Sequence, residues 1–140
     1  MAASSAITGY GIALARNGTT IAELTNIGHP KLSLETVEVT NHQSDDRYRE
    51  YIGTVLDGGE VAIEGNLKVS DTNGQIGLIS DMNDRTIQNF VITFPTAVTA
   101  TWTFTALVTA FEVGDTAFDG SVSFSATLKV TGKPTITSGV

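Results

Sequence analysis

Residues 94–113 read FPTAVTATWTFTALVTAFEV, and the fold class turns on whether this apolar run is a helix or a strand. Thr99, Thr101, Thr103, Thr105 and Thr109 alternate with Ala100, Trp102, Phe104, Ala106, Val108 and Ala110. A two-residue period rich in β-branched side chains puts one face of a strand into a core, and a membrane-spanning helix has no reason to keep it. The spacing predicts a long strand over 101–113. At about 3.4 Å per residue it would reach roughly 44 Å and overhang a small core.

The same alternation recurs downstream. Val122, Phe124, Ala126, Leu128 and Val130 alternate with Ser121, Ser123, Ser125, Thr127, Lys129 and Thr131. The two segments are expected to pair as a hairpin closed near Gly114 to Gly120. Upstream, Thr86 to Phe94 reads as a strand, and so does Glu60 to Leu67. In the latter, Val61, Ile63 and Leu67 face one way and Glu60, Glu64 and Asn66 the other. In Leu32 to Val39 the apolar parity moves from Leu32 and Leu34 to Val37 and Val39, which predicts a bulge near Glu35 and Thr36. Tyr10 to Arg16 and Thr20 to Leu24 flank Asn17-Gly18, a pair suited to a tight hairpin turn. Asp71 to Asp84 is the helix candidate, with Ile76, Ile79 and Met82 beside Leu78 as its apolar stripe and Asp71 or Thr72 as its N-cap. Gly74 and Gly77 weaken it. The last residues, KPTITSGV (133–140), read as a polar tail. No repeat or boundary is visible. The expectation is one mainly β domain over 1–140, a β-sandwich or rolled antiparallel sheets with one flanking α-helix.

Composition bounds the function. At 140 residues, 41% hydrophobic and 16% charged, the chain can bury a core and is globular in type. Without cysteine it has no disulfide, thiolate metal site or cysteine nucleophile. Net charge is −7, and the eight Lys and Arg are scattered, so no basic face exists to grip phosphates. The start, MAASSAITGYG, lacks the basic and apolar regions of a signal peptide.

Chemistry is sparse. His29 precedes Pro30 at the start of a strand and His42 lies in a long loop, and no G-x-S-x-G elbow accompanies either. DTAFDG (115–120) fails as a calcium loop because Ala117 and Ala126 stand where oxygen ligands are required. A hairpin turn accounts for it better. Glycines 9 and 11 in GYG and DGG (57–59) lack the Lys and Ser or Thr of a phosphate loop. Glu60 and Glu64 share a strand face, and a solvated face explains them better than acid–base work. No catalytic residue, cofactor or metal is expected.

The segment NHQSDDRYREYIGTVLDGGEV (41–61) breaks this pattern. Between Glu35 and Glu64 lie eight of the fifteen acidic residues, with Arg47 and Arg49 the only cations. The interruption at 41–58 is long for a loop in a compact domain. It combines Asp45, Asp46, Arg47, Arg49 and Glu50 with Tyr48 and Tyr51, and Tyr and Arg are enriched at protein interfaces.

Three ordered stretches, HPKLSLETVEVTNHQSDDRYREYIGTVLDGGEVAIEGN, then FVITFPT, then WTFTALVTAFEVGDTAFDGSVSFSATLKVTGKPTI, resemble the major tail tube proteins of long, non-contractile-tailed bacteriophages. The resemblance spans about His29 to Ile136. It implies a rolled β fold with a flanking helix, and hexameric rings stacked into a hollow tube that conducts the genome to the host. The implied partners are other copies of the chain and the tape-measure, tail-tip and terminator proteins. DNA would pass through the lumen without specific binding, no membrane is involved, and the protein would reside in the virion tail after synthesis in the bacterial cytoplasm. An appended immunoglobulin-like domain is not expected. With four strands from each hexamer subunit, about 24 strands roughly 4.8 Å apart leave a bore of about 30 Å, enough for a duplex. Like charge on that wall repels phosphates, so DNA slides without adhering. Glu38, Glu60 and Glu64 are the candidate lumen acids on strand parity, with Ser and Thr as neutral lining. Segment 41–58 becomes the arm that docks on a neighbour, anchored by Tyr48 and Tyr51 and kept in register by Asp45, Asp46, Arg47, Arg49 and Glu50. Residues 1–9 and 133–140 are expected as further straps between rings.

Two rival readings remain open in the sequence. One is a tube subunit of type VI secretion, which shares the architecture. The other is an adhesive or carbohydrate-binding β-sandwich, whose cue would be exposed aromatic rows. The single tryptophan, Trp102, falls instead on the apolar parity.

Overall fold

Strands that alternate apolar with Ser and Thr side chains can bury one face and leave the other wet. The computed structural model describes residues 11–95, 100–114, 120 and 122–138. In chain order its elements are β1 (Ala13–Arg16), β2 (Thr19–Thr20), β3 (Leu24–Ile27), β4 (Ser33–Glu38), β5 (Tyr51–Asp57), β6 (Glu60–Asn66), α1 (Gln75–Asp84), β7 (Gln88–Thr93), β8 (Ala100–Val113) and β9 (Ser123–Ser138). Seven strands form one sheet in the order β2-β1-β7-β8-β9-β6-β3, and every neighbouring pair is antiparallel. The sheet rolls until β3 packs against β1. β4 and β5 form a separate two-stranded ribbon. The mainly β, rolled architecture with one flanking helix is as the sequence predicts.

The inner face of the roll is the core. Leu14, Val61, Ile63, Phe90, Ile92, Phe104, Phe124 and Leu128 are buried there, and Leu78 closes it from the helix. Phe90 stacks on Phe104 and Phe111 on Phe124, with ring centroids 5.7 and 5.4 Å apart. Trp102 packs half-buried against the same cluster. Asn17 and Gly18 take positive φ angles of 48° and 86° at the β1–β2 turn, the conformation such a hairpin demands.

The β8–β9 pair runs nearly the full height of the domain, from Ala100 opposite Ser138 to Val113 opposite Phe124. Strict alternation fails at one bulge between Val108 and Ala110. One extra residue reverses every side chain beyond it. Phe111 therefore turns inward and Glu112 outward, against the plain even–odd expectation. A second irregularity, opposite Thr103 to Thr105, holds Gly132, Lys133 and Pro134. A bulge is where a strand tolerates proline, since no ladder donor is lost. The polar tail expected from residue 133 is consequently strand up to Ser138, because the Gly-Lys-Pro interruption masks its continuation. The closing turn at 115–119, most of DTAFDG, lies outside the described residues. So do residues 1–9 and 139–140.

The helix is rotated from the predicted stripe. Gln75, Gly77, Leu78 and Asp81 are buried, while Ile76, Ile79 and Met82 are half-buried. Polar side chains determine this orientation. The Gln75 amide donates to the carbonyls of Ala22 and Asn66 at 2.8 and 2.9 Å and accepts from the Lys68 amide at 2.8 Å. Arg16 donates twice to the Asp81 carboxylate, Nε to Oδ2 and Nη2 to Oδ1, at 2.5 and 2.7 Å. That hydrogen bond raises the Arg16 pKa further above its ordinary value, against the opposing effect of burial. Gly77 makes the approach possible, because a Cβ there would sit 2.6 Å from Arg16 Nη1. Asp71 does not occupy the N-cap position, which is Gly74. Its carboxylate instead accepts from the amides of Ala22 and Gln75.

Arg16–Asp81 is the one ion pair among the described residues, and its side chains are only 14% and 5% exposed. Removing one partner strands a buried charge, which costs about 3–5 kcal/mol. Asp81→Ala should lose about that much in urea unfolding. Asp84→Ala, exposed at the helix end, should stay within about 0.5 kcal/mol. Equal losses at the two positions would contradict this role for the pair.

Candidate subunit interface

The ribbon is the part of the molecule without a core. All six residues of β4 and all seven of β5 are exposed. Nine of the thirteen large hydrophobic residues exposed among the described residues lie between Leu32 and Leu56. Leu34 pairs with Leu56, and Val37 with Ile52. Positions 34 and 37 of one strand lie on opposite faces, so each face of the ribbon carries an apolar pair. The predicted irregularity is present but belongs to the partner strand. Between Leu34–Leu56 and Thr36–Gly53, β4 advances two residues and β5 three. Leu34 and Val37 thus stay on opposite faces and the parity is not realigned.

The segment expected as a loop over 41–58 is shorter than that. Tyr51 to Asp57 is strand, with Tyr51 directly opposite Glu38. The true tip is 39–50, and it is tied to itself. The Val39 amide donates to Glu50 O at 2.8 Å, and the Glu50 amide to Thr40 Oγ1 at 2.9 Å. Ser44 Oγ donates to the Glu50 carboxylate at 2.6 Å. A single 3-10 turn covers Asp45–Arg47, in which Asp46 and Arg47 take positive φ angles of 52° and 67°. Tyr48 follows, 75% exposed. Asp45, Asp46, Arg47 and Arg49 make no ion pair among the described residues. The tip is thus a shaped, charged knob on a stalk that exposes apolar side chains on both faces.

Glycines join the stalk to the barrel. Gly58 is buried, and a Cβ there would lie 2.5 Å from Val130 Cγ1. Gly59 takes a φ of 73°, with its amide donating to Asp57 Oδ1 at 2.9 Å. Beside this junction lies a groove of about 370 Å³ lined by Leu32, Leu56, Asp57, Gly132, Lys133 and Pro134 among others.

The three candidate lumen acids do not form one group. Glu38 belongs to the ribbon, whereas Glu60 and Glu64 lie on the outer face of the large sheet. Glu60 pairs across strands with Lys129, which offsets its charge. Glu64 and Glu112 both pair with Ser125, forming one row across β6, β9 and β8. They flank a depression of about 240 Å³. Sequence parity misses Glu112, because the bulge at Val108 alone brings it to this face. Among the other outward positions, Ser123, Ser125, Thr127, Thr103 and Thr105 are neutral and polar, and Leu107, Ala62 and Ala110 are apolar.

The histidines stay apart from any such row. His29 is half-buried, stacked on Phe94 at 5.4 Å, and His42 is exposed at the ribbon tip. Among the described residues no three His, Asp or Glu side chains gather as a metal site, and no helix is long and apolar enough to cross a membrane.

No family model matches the chain, and no curated protein sequence does. Solved structures do match it in fold. A chain from the tail of an empty gene transfer agent particle, determined with C6 symmetry, is 22% identical, with 91% of this chain and 94% of that one covered and a TM-score of 0.70. A chain of the sheath–tube complex of the extracellular contractile injection system PVC is 11% identical, with 96% and 93% covered and a TM-score of 0.76. The SPP1 tail tube is 14% identical, with 96% and 81% covered and a TM-score of 0.69. The overall fold is thus shared with chains of tail and injection-tube assemblies.

Proposed function

We propose that the chain is the tail tube subunit of a long, non-contractile-tailed phage or phage-like particle. It polymerises as hexameric rings stacked into a hollow conduit for DNA. The observation that carries this reading is the ribbon, thirteen exposed strand residues with apolar pairs on both faces that no element among the described residues covers. Another copy of the chain covers it in this reading, and the self-tied tip gives that contact its register. The shared fold supports the reading, because tubes and tails are the assemblies in which this architecture recurs. Tape-measure, tail-tip and terminator proteins are the further partners, and the virion tail is the location.

The outer face of β6, β9 and β8 supplies the lumen wall in this account. Glu60, Glu64 and Glu112 against Lys129, among Ser and Thr, give a weakly anionic lining that offers phosphates no grip. Segments 1–9 and 133–140 serve as additional straps, the latter through the paired end of β9.

A tube subunit of a contractile or type VI-like system is the second reading, favoured by the likeness to the contractile injection tube. A carbohydrate-binding sandwich has less support, since Trp102 packs against the core.

Deleting residues 44–50 should leave a monomer that unfolds cooperatively but forms no tubes in negative-stain micrographs. Tubes of normal length from that deletion would remove the tip from the interface. Glu60→Lys combined with Glu64→Lys should still assemble while genome ejection slows or stops. Ejection at the unaltered rate would place this face elsewhere than the bore.

A further inference from the structure

A knob and a groove stand at opposite ends of the same ribbon. The knob is Tyr48, the most exposed large hydrophobic side chain among the described residues. Arg47 and Arg49 flank it and Asp45 and Asp46 precede it. The groove lies at the junction with the barrel, walled by Leu32, Leu56 and Pro134, with Asp57 and Lys133 also lining it. Leu32 and Leu56 are 62% and 74% exposed, so the groove presents apolar surface that nothing among the described residues covers. Strands of six and seven residues separate the two features. That is about 20 Å of ribbon, so a chain cannot place its own tyrosine in its own groove.

We propose that Tyr48 of one copy seats in the groove of a second copy, with Asp45 facing Lys133 and the arginines facing Asp57. This rests on the tube reading and names the surfaces that carry it. An aromatic anchor entering an apolar pocket, rimmed by charge pairs, is the form that interface hot spots take. The two surfaces differ, so the contact is head-to-tail and repeats without a two-fold closure. Each added copy presents a fresh knob and a fresh groove. Ribbons joined this way run along the axis and bind one ring to the next.

Replacing Tyr48 with the photoreactive p-benzoylphenylalanine keeps an aromatic ring at the knob. After polymerisation and irradiation, covalent ladders should appear on denaturing gels, and the joined peptides should map to Leu32, 56–58 or 132–134 of another copy. Polymers whose cross-links map elsewhere, to another strand or to either terminus, overturn the proposal. A second pair of variants tests it without the label. Lys133→Glu should raise the lowest polymerising concentration about tenfold, and adding Asp45→Lys should restore most of it. Polymerisation of Lys133→Glu at the unaltered concentration, or no restoration by the second change, overturns it too. Unsubstituted protein that never polymerises would remove the tube reading itself, a different failure from tubes that lack this contact.

Discussion

An isolated two-stranded ribbon is marginal in water, because it has two unpaired edges and nothing to bury. That constraint organises the whole molecule. β4 and β5 carry Leu34 with Leu56 on one face and Val37 with Ile52 on the other, all exposed. A monomer designed to remain alone would place charge on such a ribbon. Here most of the charge sits at the tip, and the stalk, which carries only Glu35, Glu38 and Asp57, leaves six large apolar or tyrosyl side chains exposed. The ribbon has a definite register within the chain, and in the proposed assembly other chains supply the cover that the described part of the roll does not.

The barrel in turn has to hold the stalk at a fixed angle. The close approach of Gly58 to Val130 and the turn at Asp57–Gly59 do this at the base. The helix end of the molecule is fixed by different means. Gln75 and Asp81 are buried, yet their hydrogen-bonding groups are satisfied by Ala22, Asn66, Lys68 and Arg16. A buried polar set of this kind costs desolvation and repays it only when complete. It fixes the helix rotation more strictly than an apolar stripe would. The result is a packed roll carrying one appendage that the described residues leave uncovered, a form suited to a repeating assembly.

Much of the fold was legible because alternation in TWTFTALVTAFEV and SVSFSATLKVT is long and clean. The Asn17-Gly18 turn is legible from local chemistry alone, whereas the irregularity opposite Glu35 is legible only in its position, since the extra residue lies on β5. What escaped the sequence shares one physical cause. A bulge changes parity without changing composition, so Glu112 and Phe111 exchange faces at Val108, and β9 continues past Gly132-Lys133-Pro134 unseen. The helix was misrotated for a related reason. Isoleucines at helical spacing suggest a buried stripe, whereas the packed face is chosen by Arg16, which is remote in sequence. The ribbon tip stands out in the sequence through its charges, which mask the strand behind them, YIGTVLD, as part of the same loop.

Backbone amide hydrogen exchange, compared between the free chain and the polymer, tests the dependence of the ribbon on its neighbours most directly. In the free chain, amides of 33–38 and 51–57 should exchange far faster than those of β8 and β9, and on assembly they should become comparably protected. A ribbon already as protected as the barrel in the free chain, or one that gains nothing on assembly, would contradict the account.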